Sequence, residues 1–287
     1  MQQTLLIVGI LSGVFLALFL LEWRFPLREP RRPLLGRLVL NLSLSVLAFG
    51  TAQLIVQPAA AFMLGVTARR GFGLIHLFEL AGVAGGVVAF LLMDLTFYYW
   101  HVANHKVPLL WRLHNVHHID PDLDVSTGFR FHAGEVALSA GFRALQVALI
   151  GVSAWTYAVY ELVYQANTYF HHSNVRLPLR VERVLNWVLV TPRMHGVHHS
   201  QVRRETNSNY SVVFPWWDWL HRTLRLNVPQ RQIDIGIPAY SGRGDNTFWN
   251  ALLLPFRAQR DYWHASHGTV VERTPAASGE SRARMAD

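Results

Sequence analysis

Residues 80–118, LAGVAGGVVAFLLMDLTFYYWHVANHKVPLLWRLHNVHH, join a long apolar run to two clusters of histidines. The apolar part, residues 80–100, contains a single charged residue, Asp94, and is long enough to cross a bilayer as a helix. The patterns His101-x3-His105 and His114-x2-His117-His118 follow immediately. This stretch therefore predicts a membrane helix that ends in a histidine-rich segment at the membrane boundary.

Two further apolar runs precede it. Residues 4–21 and residues 38–68 carry no charged side chain, and 51% of the 287 residues are hydrophobic. The first run resembles a secretory signal in position, but it lacks a positive N-terminal region and a small-residue cleavage site, so we interpret it as an anchor. The expected fold is all-α: an integral-membrane helical bundle with a cytoplasmic, histidine-rich helical cap.

The net charge of +8 is explained by membrane topology better than by nucleic-acid binding. Five arginines crowd the loop between the first two runs: Arg24, Arg28, Arg31, Arg32 and Arg37. Basic residues in a short loop between spans favour its cytoplasmic placement. Counting the spans then predicts a multi-pass protein in which His101 and His105 also face the cytoplasm.

The remainder of the chain divides into three regions. Residues 136–169 are apolar again, and the short distance between His132 and His171 predicts a short or re-entrant helical hairpin that bends near residues 151–153. We divide the chain into N-terminal membrane helices (1–79), a catalytic domain (80–225) and a C-terminal cytoplasmic segment (226–287). The composition after about Gly268 predicts a disordered tail.

Eleven of the fifteen histidines lie between positions 101 and 199, and the pattern His-x2-His-His occurs twice. On a helix, positions i, i+3 and i+4 share one face, so each cluster presents its imidazoles in one direction. The second triplet is His195, His198 and His199, and the pair His171-His172 lies between the triplets. Nine or more imidazoles are too many for one ion, which predicts a pair of metal ions. The histidines outside this pattern are expected at the surface or membrane interface: His76, His221, His264 and His267.

Imidazole ligands suit iron, zinc, copper and nickel. The absence of cysteine argues against a structural zinc module and excludes iron–sulfur clusters. No full Gly-x-Gly-x-x-Gly pattern is present, so no nucleotide site is expected in this chain, nor a haem site, and electrons would come from another protein. A membrane metal transporter or metal-binding protein without oxidative chemistry is the alternative.

Three residues outside the spacing pattern of the clustered histidines are candidates for supporting roles. Asp94 precedes His101 by seven residues on the same helical stripe, and an ionisable residue in a span usually faces the bundle interior, so it is expected to hydrogen-bond a ligating imidazole. Glu161 precedes His172 by eleven residues and is a weaker candidate of the same kind. His132 stands alone, and an isolated histidine is more often structural than a ligand.

The chain resembles the sterol desaturase/fatty acid hydroxylase superfamily of integral-membrane, non-haem diiron oxygenases over roughly residues 80–225. The resemblance rests on the following segments: His-Val-Ala-Asn-His at 101–105, His-Asn-Val-His-His at 114–118, Arg-Phe-His-Ala-Gly-Glu at 130–135, Phe-His-His-Ser-Asn-Val at 170–175, Thr-Pro-Arg-Met-His-Gly-Val-His-His-Ser at 191–200, and Asn-Tyr with Trp-Trp-Asp at 209–218.

The resemblance implies two irons at the cytoplasmic face, O2 as co-substrate, an external electron-donor protein and a lipid substrate that enters from the bilayer. The implied iron ligands are His101, His105, His114, His117, His118, His172, His195, His198 and His199, with His171 as a nearby candidate. Two segments depart from the usual pattern, His132-Ala133-Gly134-Glu135 and the residues after Trp217-Asp218. The substrate lipid, and the choice between hydroxylation and desaturation, stay open at this point.

Overall fold

A computed structural model describes residues 2–265 and 268–273. Within this part of the chain the structure is helical and contains no β-strand, only isolated bridges. The α-helices are α1 Gln2–Arg24, α2 Leu34–Thr51, α3 Gln57–Arg70, α4 Leu74–Leu77, α5 Gly82–Lys106, α6 Pro108–His118, α7 Ala133–Ile150, α8 Ala154–His172, α9 Leu179–Leu185, α10 Pro192–His198, α11 Arg203–Thr206, α12 Trp216–Leu220 and α13 Phe248–Leu253. The expectation of an all-α fold is confirmed.

Four segments are long and apolar enough to cross a membrane: Leu6–Arg24, Leu34–Leu77, Gly82–Lys106 and Ala133–Ile150. The first three overlap the predicted spans. The second comprises 44 residues, more than twice the roughly 20 that a bilayer core needs. Its helices α2 and α3 are joined by a π-helical turn, Ala52–Val56. Pro58 lies just beyond this turn and has no N–H to donate, which accounts for the shifted hydrogen-bond register before it.

Helices α7 and α8 form the predicted hairpin, and its bend lies at residues 151–153. Gly151 ends α7 in the left-handed region with φ of 71°, and its N–H donates to Val147 at 2.8 Å. A Cβ atom there would lie 2.6 Å from the carbonyl oxygen of Phe72, so only glycine fits the turn. The hydroxyl of Ser153 then caps α8 by accepting from Thr156 N–H at 3.1 Å.

The loop between α1 and α2 packs against the histidine-rich region. The backbone N–H groups of Arg31 and Arg32 donate to the carboxylate of Asp122 at 2.7 and 2.9 Å. Arg37 donates to both oxygens of Asp120, at 2.9 and 3.0 Å, in a buried bidentate pair. Burial alone would raise the pKa of Asp120, but the guanidiniums of Arg37 and Arg130 lower it to about 2. The arginine-rich loop and the segment after His118 therefore lie on one face of the molecule.

The chain after α8 contains short helices separated by long loops, and several large aromatic side chains on its surface are exposed, among them Trp187 and Trp219. His76 and His264 are not part of the cluster: His76 is exposed, and Nδ1 of the half-buried His264 lies 2.8 Å from a carboxylate oxygen of Asp261. His221 is half-buried between two tyrosines rather than at the surface. His267 lies outside the described residues. The disordered tail was predicted from about Gly268; residues 268–273 are described, and Arg273 among them bonds Glu205 at 2.7 Å, while the tail from residue 274 onward lies outside the described residues.

Candidate metal centre

The histidines converge because four helices end at the same place. His105, His117, His172 and His198 each lie in the last turn of their helix, in α5, α6, α8 and α10 respectively. A helix C-terminus carries a partial negative charge and favours a cation nearby. The electrostatics of the fold therefore favour positive charge where these helices meet.

Nine imidazoles form two groups there, and within each group the ligand nitrogens all lie within 4.8 Å of one another. The five-histidine group comprises His101, His105, His114, His118 and His198, and the four-histidine group comprises His117, His172, His195 and His199. All are buried except His105, which is half-buried. Rings of the two groups are in contact, since the ring centres of His118 and His199 are 4.3 Å apart. Two adjacent sites, each rich in nitrogen ligands, are thus built from one cluster.

In the four-histidine group the Nε2 atoms face one another directly. Nε2 of His172 lies 3.0 Å from Nε2 of both His117 and His195, and His195 lies 3.1 Å from His199. The Nδ1–H groups of His117 and His172 donate to backbone carbonyls, at 3.2 and 2.8 Å, so their Nε2 atoms carry lone pairs. Lone pairs that face one another in a buried space need a cation between them.

The spacing of these nitrogens suits a shared ion. Ligands about 2.1 Å from one ion are about 3.0–3.4 Å apart. Neighbouring Nε2 atoms of the four-histidine group are 3.0–3.1 Å apart, so one ion can contact several of them.

In the five-histidine group the outer ring nitrogens are fixed by hydrogen bonds. Nδ1–H of His101 donates to the carbonyl of Tyr210 at 2.7 Å, and that of His198 donates to the carbonyl of Ser208 at 2.7 Å. His114 donates from Nδ1 to the carboxylate of Glu135 at 2.8 Å. The Nε2 atoms of His114 and His198 are buried and have no hydrogen-bond partner in the protein. These bonds select the tautomer whose free nitrogen faces the group, as in metal sites.

Burial favours the neutral form that binds metal at eight of the nine histidines. Burial lowers the pKa of His198 to about 3, against the opposing effect of its bond to Ser208. Burial, and then the neighbouring His172 ring, hold the pKa of His117 well below its usual value. A neutral imidazole offers its lone pair without first losing a proton, so both groups are ready to bind a cation at neutral pH.

Comparison with known proteins agrees with this geometry. Residues 86–223 match the family model for fatty acid hydroxylase. Similar proteins include ornithine lipid hydroxylase OlsE of Rhizobium tropici, 29% identical over 59% of this chain, alkylglycerol monooxygenase of Homo sapiens, 31% over 47%, and cholesterol 25-hydroxylase of Homo sapiens, 30% over 49%. Residues 86–223 are therefore a domain of the fatty acid hydroxylase family, and the similar proteins support the resemblance to the sterol desaturase/fatty acid hydroxylase superfamily.

The matched segments cover only part of these relatives, 50%, 29% and 52% of their respective lengths. The similarity is therefore to the domain that carries the histidines rather than to whole proteins. No solved structure matches the chain at a significant level.

In this hydroxylase domain His171 lies beside the two groups but belongs to neither. Its ring centre is 4.1 Å from that of His195, and its Nδ1 is 3.4 Å from the side-chain nitrogen of Asn167. His172, the next residue, contributes to the four-histidine group. Of the adjacent pair, the structure thus brings His172 to the candidate centre and leaves His171 next to it.

We expected Asp94 and Glu161 to hydrogen-bond ligating imidazoles, but the structure gives both carboxylates other partners. Oδ2 of Asp94 accepts from the indole N–H of Trp217 at 2.7 Å and from the backbone N–H of Phe214 at 3.1 Å. Glu161 forms an ion pair with Arg143 at 2.6 Å. Helical spacing placed both carboxylates on plausible stripes, but the nearest donors belong to other elements. In the hydroxylase domain they tie elements together instead of orienting ligands.

His132 has a structural role. Its Nδ1 accepts from Gly134 N–H at 2.9 Å and caps α7, and its Nε2 lies 3.0 Å from the carbonyl oxygen of Leu252. With both ring nitrogens engaged, it has none left for a metal. These contacts fit the structural alternative for His132, and a supporting role for it in catalysis stays a prediction.

The residue that sequence reasoning missed is Glu135. It is buried in the first turn of α7, and it is the carboxylate that bonds His114. The sequence did contain a signal for Glu135. It follows His132 by three residues, so when His132 caps α7 the carboxylate of Glu135 lies in the first turn of the same helix. Asp218 was missed as well: it accepts from the backbone N–H groups of Tyr210 and Ser211, both at 2.8 Å, and so fixes the carbonyl that receives His101.

Proposed function

We propose that this protein is a membrane-bound, O2-dependent oxidoreductase that hydroxylates a C–H bond of a lipid, using two iron ions. The observation that carries the proposal is the pair of imidazole groups, five and four in number, in each of which the ligand nitrogens lie within 4.8 Å of one another. Nine imidazoles exceed what one ion can bind, while two ions use them all. The membership of residues 86–223 in the fatty acid hydroxylase family supports iron as the metal.

In this proposal the five-histidine group holds one iron and the four-histidine group the other. Two irons held in this way supply O2 activation, with electrons from an external donor protein. The names of the similar proteins, which are hydroxylases and monooxygenases, favour hydroxylation over desaturation. The chain's own residues hold the imidazoles in one tautomer and exclude water by burial.

The lipid is proposed to reach the centre from the bilayer. His101 and His105 lie at the end of the candidate span Gly82–Lys106, so the centre begins where this membrane helix ends. An ion bound there lies at the membrane boundary, where the hydrocarbon chain of a bilayer lipid contacts the protein. The alternative function, metal transport, needs ionisable residues at several depths across the membrane. Here the histidines of both groups lie together at one depth.

Orientation is part of the proposal. The arginine-rich loop contacts the segment after His118, so both lie on one side of the membrane, and the charge of the loop favours the cytoplasm. The chain has no cysteine, so a single cysteine introduced at Glu29 or at Arg257 can be labelled from either side of intact vesicles. We expect both positions to react from the cytoplasmic side; labelling from the opposite side would contradict the topology.

The decisive experiment measures iron and product together. The purified protein is loaded with iron, its metal content is determined, and product is sought by mass spectrometry with an ornithine lipid, an alkylglycerol ether lipid and a sterol. We expect two irons per chain and O2-dependent addition of one oxygen atom to one of these lipid classes. An active protein with one metal per chain would reject the two-iron proposal, and exchangeable metal without any oxidation in cells would favour transport.

A further inference from the structure

A file of aromatic rings leads from the five-histidine group to the protein surface. The ring of Tyr210 contacts the rings of His105 and His101 at 5.1 and 5.7 Å. Tyr98 follows at 6.1 Å from Tyr210, and its ring stacks on His221 at 4.7 Å. Tyr99 lies 5.2 Å from His221 and is 50% exposed. We name Tyr210, Tyr98, His221 and Tyr99 the tyrosine path.

The outer end of the tyrosine path is a tyrosine hydrogen-bonded to a base. Nδ1 of His221 lies 2.7 Å from the carbonyl oxygen of Trp217, and because a carbonyl only accepts, this nitrogen carries the proton. Nε2 of the neutral ring then has a lone pair, and the hydroxyl of Tyr99 donates to it at 2.8 Å. A phenol that loses an electron becomes strongly acidic, so this geometry gives the phenolic proton of Tyr99 a place to go.

The inner tyrosines have weaker acceptors. The hydroxyl of Thr223 donates to Asp218 at 2.6 Å, so Tyr98 donates to the Thr223 oxygen at 3.0 Å. The hydroxyl of Tyr210 donates to the amide oxygen of Asn207 at 3.2 Å. An amide oxygen is a weak base, and the Tyr98 proton reaches the carboxylate of Asp218 only by relay through the Thr223 hydroxyl, whereas the imidazole of His221 accepts the Tyr99 proton directly. An oxidised state is therefore stabilised most at Tyr99, the exposed end.

We propose that the tyrosine path carries oxidising equivalents out of the metal centre when it has reacted with O2 and no lipid is present. Each passage takes one electron from Tyr99 inward, reduces the metal centre by one electron, and moves the phenolic proton of Tyr99 to Nε2 of His221. An external one-electron reductant, such as ascorbate, returns the electron, and the proton moves back to the phenolic oxygen. This inference rests on the proposed oxidative function, but its outer end can be tested without iron.

The first experiment tests the Tyr99–His221 pair in the full-length protein loaded with redox-inert zinc, or as purified if no metal binds. A photo-oxidised ruthenium complex in solution removes one electron, and the tyrosyl radical is recorded by electron paramagnetic resonance. We expect a signal that is lost in Tyr99→Phe and in His221→Phe. The matched control is Tyr262→Phe, because the half-buried Tyr262 donates to an amide oxygen, that of Gln259, at 2.9 Å. An undiminished signal in Tyr99→Phe or His221→Phe would overturn the proposal.

The second experiment tests the connection to the centre. Iron-loaded protein is mixed with O2 without lipid and frozen within milliseconds to seconds. We expect the Tyr99 radical in the wild type, its loss in Tyr98→Phe, which keeps the ring but removes the oxidisable hydroxyl, and more oxidised histidine in that variant by mass spectrometry. A Tyr99 radical that persists in Tyr98→Phe, or an iron-loaded wild type without the radical, would refute the path. A protein that binds no iron would instead refute the proposed function, and the zinc experiment would still report on the Tyr99–His221 pair.

Discussion

Replacing Glu135 tests how much one buried carboxylate contributes to the five-histidine group. It accepts from Nδ1 of His114 at 2.8 Å, and both side chains are nearly inaccessible to water. Loss of such a partner typically reduces metal affinity about 10–100-fold, or about 1.4–2.8 kcal/mol. Glu135→Gln keeps an acceptor oxygen and loses only the charge, so we expect about a tenfold loss. Glu135→Ala also leaves Nδ1–H of His114 buried without a partner, so we expect a loss near 100-fold.

The assay is an iron titration of purified protein against a competing chelator, which resolves the two ions if their affinities separate. Binding of only one of the two irons should weaken, because His114, the histidine that Glu135 bonds, belongs to the five-histidine group. The matched control is Glu161→Gln, which removes the charge of a glutamate paired with Arg143 and should leave both affinities unchanged. Equal weakening of both irons, or unchanged affinity in Glu135→Ala, would refute the reasoning.

Four further outcomes follow from the geometry. His118→Ala and His198→Ala should each abolish lipid oxidation, and the double variant should be no worse than either, since residues that act as a unit are non-additive; residual activity in one single variant that disappears in the double would contradict this. Burial lowers the pKa of His198 in the folded protein to about 3, from 6.5. As the pH drops from 6.5 toward 3, the unfolded state binds a proton that the folded state does not, so the stability of the metal-free protein in detergent should fall by about 1.4 kcal/mol per pH unit for each such histidine. A flat thermal midpoint across this range would contradict this prediction. Asp120→Asn breaks a buried ion pair and should cost about 3–5 kcal/mol in the free energy of unfolding, measured in detergent. Asp94→Asn should lower thermal stability and leave iron content unchanged, because its partner is Trp217 rather than an imidazole; partial loss of iron would restore the earlier interpretation.

The membrane architecture was largely predictable because it depends on one-dimensional properties. Long apolar runs predicted three spans, and the number of residues between His132 and His171 predicted the hairpin with its bend at residues 151–153. The sequence did not predict that α7 alone would also qualify as a span, nor that the second span would extend through a π-helical turn to 44 residues. The sequence analysis counted only the uncharged residues 38–68, whereas the helical segment continues on both sides of them and through the turn at Ala52–Val56.

The site was predictable as a set of residues but not as two groups. Helical spacing placed His114, His117 and His118 on one face, yet the structure gives His114 and His118 to one group and His117 to the other. Positions i and i+4 aim together, while i+3 points far enough aside to reach His172 on a different helix. The packing of α8 and α10 decides which of the two groups His117 joins. The same limit explains Asp94 and Glu161, whose partners lie far along the chain.

The partition of α6 between the two groups has a consequence for the order of events in biosynthesis. Each group also needs α10, so neither is complete until the ribosome has produced His198 and His199, after every candidate span has been made. A nascent chain that ends before this point can hold at most an incomplete set of ligands. In the proposed function, a complete ligand set for either ion therefore exists only after residues 101–199 have all been made and brought together.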